Sequence, residues 1–139
     1  SYVGLADELL DLTRQADVVI NTAPLTDKTR GIFDAEFFKA MQPHAYFVNI
    51  GRGLSVDTDD LVAALQNGDL GGAGLDVFDP EPLPADHPLW KQPRVIITPH
   101  IAFRSEKLGE RVWILVEESV RRYVNGDRML NVVDIERGY

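Results

Sequence analysis

Four apolar runs punctuate the chain: DVVINTAP (Asp17–Pro24), AYFVNIGRG (Ala45–Gly53), GAGLDVFDPEP (Gly72–Pro82) and RVIITPH (Arg94–His100). Each ends in a polar or glycine/proline-rich loop. Helical patterns separate the first three, and an irregular stretch precedes the fourth. That alternation predicts a parallel sheet with crossover helices. The strands are expected at Val18–Ala23, Ala45–Ile50, Gly72–Phe78 and Val95–Thr98. None alternates cleanly between apolar and polar, which predicts cover on both faces. Leu5, Leu9, Leu12 and Ala16 share one face of a helix ending near Gln15. Asp34 is placed to cap a helix over Ala35–Met41, and Thr58 one over Asp59–Gln66, with Asn67-Gly68 as its stop. The longest helix is expected over Ser105–Val124, with Leu108, Val112, Leu115, Val116, Val120 and Tyr123 as a buried stripe and Asn125-Gly126 beyond it. Pro80, Pro82, Pro84 and Pro88 exclude helix and central strand from the segment between the third and fourth runs. Leu89-Trp90 is expected to pack back onto the body. With right-handed crossovers, the reading is one α/β domain: about four parallel strands with helices on both faces, a half-Rossmann or flavodoxin-like layer.

Charge and composition narrow the partners. Fourteen basic against 22 acidic residues give a net charge of −8, which argues against non-specific binding to nucleic acid or an anionic membrane. No run is long enough to cross a bilayer. The absence of cysteine excludes disulfides and thiolate metal sites and fits a reducing, cytoplasmic setting. No metal-ligand spacing occurs. The chain opens with SYVG directly into a helical pattern, without a cationic-then-apolar leader, so it is expected to begin in the middle of a fold.

Ligands of parallel sheets bind outside the carboxyl ends of the strands. Three residues there suit anion and proton chemistry: Arg52, Glu81 and His100. They are expected to meet in one crevice. Arg52 lies between Gly51 and Gly53, whose backbones can turn sharply, and its planar fork can hold a carboxylate. Read locally, a surface arginine in a tight turn is an equal alternative. His100 follows Thr98-Pro99, where proline ends strand pairing, and an imidazole there can exchange a proton near neutral pH. Glu81, stiffened by Pro80 and Pro82, could orient that imidazole, although a solvated glutamate is the simpler local reading. Asp76, within the third strand, must be hydrogen-bonded if buried, to a ligand or to a neighbouring loop. Thr22, Ala23 and Pro24 end the first strand with small residues against which a flat ligand could lie. His44 and His87 read as structural.

Together these segments resemble the NAD-binding domain of the D-isomer-specific 2-hydroxyacid dehydrogenases. The resemblance runs through ADVVINTAPLTDKTRGIF, AYFVNIGRGLSVDTDDLVAAL, GAGLDVFDPEPLP with HPLW, and VIITPHIA, in order along nearly the whole chain. It implies NAD or NADP as cofactor and a small 2-keto or 2-hydroxy acid as substrate, glyoxylate or hydroxypyruvate first. In that family Arg52 would bind the substrate carboxylate and keto oxygen, His100 would donate the proton in reduction, and Glu81 would be its partner. Asp76 would hold the nicotinamide amide. Thr22–Pro24 would lie along the adenosine side, with Ile50 and Gly51 near the nicotinamide ribose. Glutamate at position 81 argues against the formate dehydrogenase branch, which has glutamine there. Phe103 stands where many relatives have a small residue, which leaves the substrate pocket open. No G-x-G-x-x-G follows a strand. The resemblance therefore implies that residues 1–139 are the carboxyl-terminal portion of a dinucleotide-binding domain, with the glycine-rich loop and substrate domain outside the chain. Tyr2-Val3 would be the tail of a third strand, and the four runs strands four to seven. A homo-oligomer is expected, and the piece alone is expected to be inactive. The alternative from another class is a dinucleotide-sensing corepressor of the C-terminal-binding protein type, which shares the same three residues.

Overall fold

The computed structural model describes residues 2–4 and 6–136, so Leu5 of the expected first stripe lies outside the described residues. The chain divides into two compact units, Ser1–His100 and Ile101–Tyr139. The first holds four strands, β1 (Val18–Asn21), β2 (Tyr46–Asn49), β3 (Gly72–Leu75) and β4 (Val95–Ile97), all parallel and in the order β1-β2-β3-β4. Register sets Val19, Phe47, Ala73 and Val95 in one row, and Asn21, Asn49, Leu75 and Ile97 in the next on the same face. Each strand is shorter than its apolar run. Asp76 therefore follows β3 instead of lying within it, although its N–H still donates to the Asn49 carbonyl in the manner of the ladder. Residues 2–4 form no strand.

Helices α1 (Leu9–Thr13, after a 3-10 turn), α2 (Ala35–Ala40) and α3 (Thr58–Asn67) supply the cover. Asp34 caps α2 as expected, accepting from the Phe37 N–H at 3.0 Å. The cap of α3 is Asp57, which accepts from the Asp60 N–H, and Thr58 is already helical. Asp60 in turn accepts from the Ala35 N–H at 2.8 Å, tying the two helix starts together. Gly68 closes α3 at φ 80°, the left-handed region that glycine enters without penalty. In α1 the buried face is turned from the expected one. Leu9 and Leu10 pack on the core and Thr13 is buried, its hydroxyl donating to the Leu9 carbonyl, while Leu12 is exposed. A helix of five residues is too short for its apolar spacing to dictate its rotation.

The core is aromatic at its centre. Phe37, Phe38 and Phe47 are fully buried and meet edge to face, with Phe33 against Phe37 at 4.8 Å between ring centres. Leu61, Leu65 and Leu70 extend it, and Leu89 joins it from the proline-rich excursion. Trp90 does not follow Leu89 inward. It stays half exposed, its indole N–H donating to the Pro84 carbonyl.

All this cover lies on one face of the sheet. Strand order that advances in one direction with right-handed crossovers puts every connection on the same side. The other face carries Val18, Ile20, Tyr46 and Ile96, all exposed, Ile96 at 72%. The sheet and its helices are those expected, and the helices of this unit gather on one face.

The second unit, among its described residues, contains one helix, α4 (Leu108–Asn125), closed by Gly126 at φ 72°. Its expected stripe is not buried. Val112, Leu115, Val116, Val120 and Tyr123 are exposed, because among the described residues of that unit no other helix or strand packs on them. Glu118 accepts from Arg121 and Arg122, which hold its carboxyl down at about 2. Among the described residues no helix is long and apolar enough to cross a membrane.

Core position predicts mutational cost. Phe37→Ala is expected to lower stability by about 3–5 kcal/mol, whereas Ile96→Ala on the open face should cost less than about 1 kcal/mol. Urea titrations of the two variants beside the parent chain measure both; equal losses would show that the open face is covered in solution.

Candidate active site

The site is built on strand ends. β1 and β2 both finish in asparagine, and the parallel register sets Asn21 beside Asn49. Both are buried, as is Ser55 in the short turn after the second strand. The Asn21 Nδ2 donates to Asn49 Oδ1 at 2.9 Å and to Ser55 Oγ at 2.8 Å. Asn49 Nδ2 and Ser55 Oγ both donate to the Arg52 carbonyl, at 3.1 and 2.6 Å. Asn49 Oδ1 also accepts from the Gly51 N–H, and Asn21 Oδ1 from the Ala23 N–H. Sequence reasoning missed this web. Its signal was present: VVIN and YFVN each place an amide where an apolar residue would continue the buried face.

The loop over this web needs its glycines. A Cβ at Gly53 would fall inside the Phe78 carbonyl group, and one at Gly51 would lie 2.7 Å from Asn21 Nδ2 and 3.0 Å from the Ala23 carbonyl. Gly51 is thus wedged against the loop of Thr22, Ala23 and Pro24. Ile50 beside it is exposed, its N–H donating to the Asn21 carbonyl. Arg52 is extended (φ −143°, ψ 145°) and exposed, with Nη1 donating to the Gly51 carbonyl at 2.7 Å.

Across the crevice, His100 Nδ1 lies 2.8 Å from Glu81 Oε2, and Glu81 Oε1 accepts from the Phe78 N–H at 2.8 Å. Partial burial pushes the Glu81 carboxyl up. The hydrogen bonds from His100 and Phe78 and the charge of His100 outweigh that push and the repulsion of Asp76, leaving it below its ordinary value of 4.5. His100 has φ 52°, an uncommon conformation for a residue with a side chain. Its N–H is held by the Asp76 and Thr98 carbonyls. Asp76 is buried and accepts from the Thr98 hydroxyl at 2.5 Å.

Arg52, Glu81 and His100 border one crevice of about 230 Å³, floored by Leu25, Leu54 and Phe78. On the far side of the Glu81–His100 pair lies a larger, mostly apolar cavity of about 540 Å³ that includes Asp76 and Trp90. Thr22, Ala23, Pro24, Ile50 and Gly51 form a neighbouring stretch of the same sheet edge and border neither space. His44, at the amino end of β2, pairs with Asp17 at 2.9 Å. His87 Nδ1 accepts from the Leu89 N–H. Among the described residues no cluster of three or more histidines and carboxylates is placed to hold a metal.

The sequence and fold of this chain are matched by known proteins. Residues 2–102 match the D-isomer specific 2-hydroxyacid dehydrogenase, NAD binding domain, and the chain belongs to that family. It is 42% identical over 139 residues to glyoxylate/hydroxypyruvate reductase A of Escherichia fergusonii, covering 100% of this chain and 44% of that protein. A D-isomer specific 2-hydroxyacid dehydrogenase from Xanthobacter autotrophicus Py2, solved with NADPH and MES, superposes with a TM-score of 0.87 at 37% identity, covering 96% of this chain and 55% of that one. The NADPH-dependent glyoxylate/hydroxypyruvate reductase of Sinorhizobium meliloti, solved with NADP and sulfate, gives 0.86 at 35% identity, with 96% and 43% covered. The chain spans less than half the length of the curated relatives it matches.

The lowered Glu81 carboxyl has a definite consequence in acid. The unfolded chain takes up that proton first, so the pair's contribution to stability is present above the ordinary carboxylate value and is lost as pH falls through the lowered folded one. A ¹³C-carboxyl titration is expected to give Glu81 a midpoint below 4.5, moving upward in His100→Ala. A midpoint at or above 4.5 that ignores the His100 substitution would contradict the pairing.

Proposed function

We propose that the whole protein transfers a hydride between NAD(P)H and a small 2-keto acid, with glyoxylate and hydroxypyruvate as first candidates, and that residues 1–139 are the carboxyl-terminal portion of its dinucleotide-binding domain. The observation that carries this reading is the convergence of Arg52, Glu81 and His100 on one crevice. The donor set fits the nicotinamide end of a dinucleotide. Asp76 is a buried carboxylate at the strand edge, suited to an amide N–H, and the Gly51 backbone is bare of a side chain beside Ile50. When bound, the cofactor supplies the hydride. Thr22, Ala23 and Pro24 would flank its adenosine side, and Ile50 and Gly51 its nicotinamide ribose.

The chain's own residues would do the rest. Arg52 holds the substrate carboxylate through its fork and stabilises charge growing on the keto oxygen. His100 gives a proton to that oxygen from Nε2. Its Nδ1–H donates to Glu81, which selects that tautomer and leaves Nε2 to face the substrate oxygen. The left-handed backbone at His100 turns the ring toward the crevice at the cost of local strain, a pattern found where geometry serves chemistry. Glyoxylate reductase activity in relatives of the same family supports the substrate class.

Kinetics of the intact protein with glyoxylate and NADPH test these roles. His100→Ala is expected to lower kcat by about 10²–10⁴-fold. Arg52→Ala should raise KM and lower kcat together, and Arg52→Lys should rescue poorly, because an ammonium lacks the fork. Near-normal reduction by both alanine variants would overturn the assignment. The 139-residue chain by itself contains no G-x-G-x-x-G following a strand to cradle a pyrophosphate. We therefore expect it to bind NADP only weakly and to reduce nothing; micromolar binding in calorimetry would refute this.

A further inference from the structure

Arg52 presents a difficulty that its own surroundings resolve. A guanidinium on a loop between two glycines is no better placed than its backbone, and glycine backbones are the least restrained of any. Yet the backbone of this loop is held from beneath. The Arg52 carbonyl accepts from Asn49 Nδ2, from Ser55 Oγ and, at 3.3 Å, from the Ser55 N–H. The guanidinium itself rests on the Gly51 carbonyl, and the Gly51 N–H is bound to Asn49 Oδ1. Both ends of the arginine thus lead back to the same buried amide.

We infer that Asn21, Asn49 and Ser55 form a positioning unit for Arg52, fixing the carboxylate clamp relative to His100. This rests on the reading of Arg52 as that clamp. The Ser55 hydroxyl has one proton, and its lone pairs already take the Asn21 donor, so the proton must go to the Arg52 carbonyl. Asn49 Oδ1 accepts twice, from Asn21 and from Gly51, so its amide cannot flip without setting donor against donor. Asn21 Oδ1 is anchored by the Ala23 N–H. Every group has one orientation, and none of the three side chains reaches the crevice that Arg52 borders. Their influence on a substrate passes through the arginine. A buried polar web has little net advantage in stability over apolar packing, and its particular effect is to specify one geometry. Small misplacement of a binding group is costly to rate and affinity.

A cycle of variants in the intact protein separates positioning from general support. Ser55→Ala removes one donor to the Arg52 carbonyl. Asn49→Asp keeps the Oδ1 acceptor and sets an oxygen against that carbonyl. Each is measured alone and combined with Arg52→Ala, reading KM and kcat for glyoxylate and the dissociation constant of NADPH by fluorescence. The expected result is a rise in glyoxylate KM of about tenfold for each variant in the parent, an NADPH constant within twofold of the parent's, and less than twofold further change once Arg52 is alanine. Equal penalties with and without Arg52 would overturn the inference, since support of the fold does not depend on the arginine. No change in KM for either variant would overturn it too, as would failure of both to fold, judged by circular dichroism. If Arg52→Ala alone leaves glyoxylate kinetics untouched, the clamp reading fails first and the inference falls with it. That outcome is distinct because it appears in the single variant.

Discussion

The amide of Asn21 meets that of Asn49 because the parallel register of β1 and β2 sets the two residues side by side at the carboxyl edge of the sheet. A parallel ladder has no freedom to slip by one residue here. Such a slip would carry Phe47 out of the aromatic core and Tyr46 into it. The hydrophobic effect on Phe33, Phe37, Phe38 and Phe47 therefore fixes the register, and the register fixes where the asparagines stand. From them hang Gly51, Arg52 and Ser55 on one side and Ala23 on the other. Packing energy at the centre of the domain is converted into polar geometry at its edge.

The far side of the site depends on another close approach. The Gly53 backbone lies so near the Phe78 carbonyl that no side chain fits between them. This contact joins the arginine loop to the excursion that carries Glu81, whose Oε1 is bound to the Phe78 N–H. Glu81 then reaches His100, whose N–H is tied to Asp76 at the end of β3. Three strand ends and one irregular loop are thus linked through backbone groups, and the charged side chains project from that frame. Asp76 and Glu81 share the neighbourhood without sharing a role. One is buried beside the Thr98 hydroxyl, and the other is held in its ionised form by the imidazole and an amide.

The sheet is finished on one side only within the first unit. Its helices gather on the aromatic face, and the row of Val18, Ile20, Tyr46 and Ile96 meets solvent. The apolar character of that row explains why the strands show no alternation in sequence even though one face is bare. α4 repeats the theme, with an apolar stripe that its own unit does not bury. In both places the amino-acid pattern reports a side chain's affinity for cover, whereas the presence of cover is a property of the assembled molecule.

Local chemistry made the strands, most helices and the three charged residues legible. Strand-length apolar runs, an aspartate before Ala35 and Gly68 at a helix end each act through neighbours close in sequence, so they can be read without a structure. Placement of Arg52, Glu81 and His100 at strand ends followed from the topology that those runs imply. Contacts between residues distant in sequence were not legible. The turned face of α1, the choice of Asp57 over Thr58 as cap and the exposure of Trp90 were each decided by what stood opposite. The asparagine web is the clearest case. Asn21, Asn49 and Ser55 are separated by 28 and 34 residues from the first to each of the others, and singly each is an unremarked polar residue. Only the parallel register makes them one object. A hydrogen bond requires two groups at about 3 Å, and no stretch of this chain contains that distance until the core has closed.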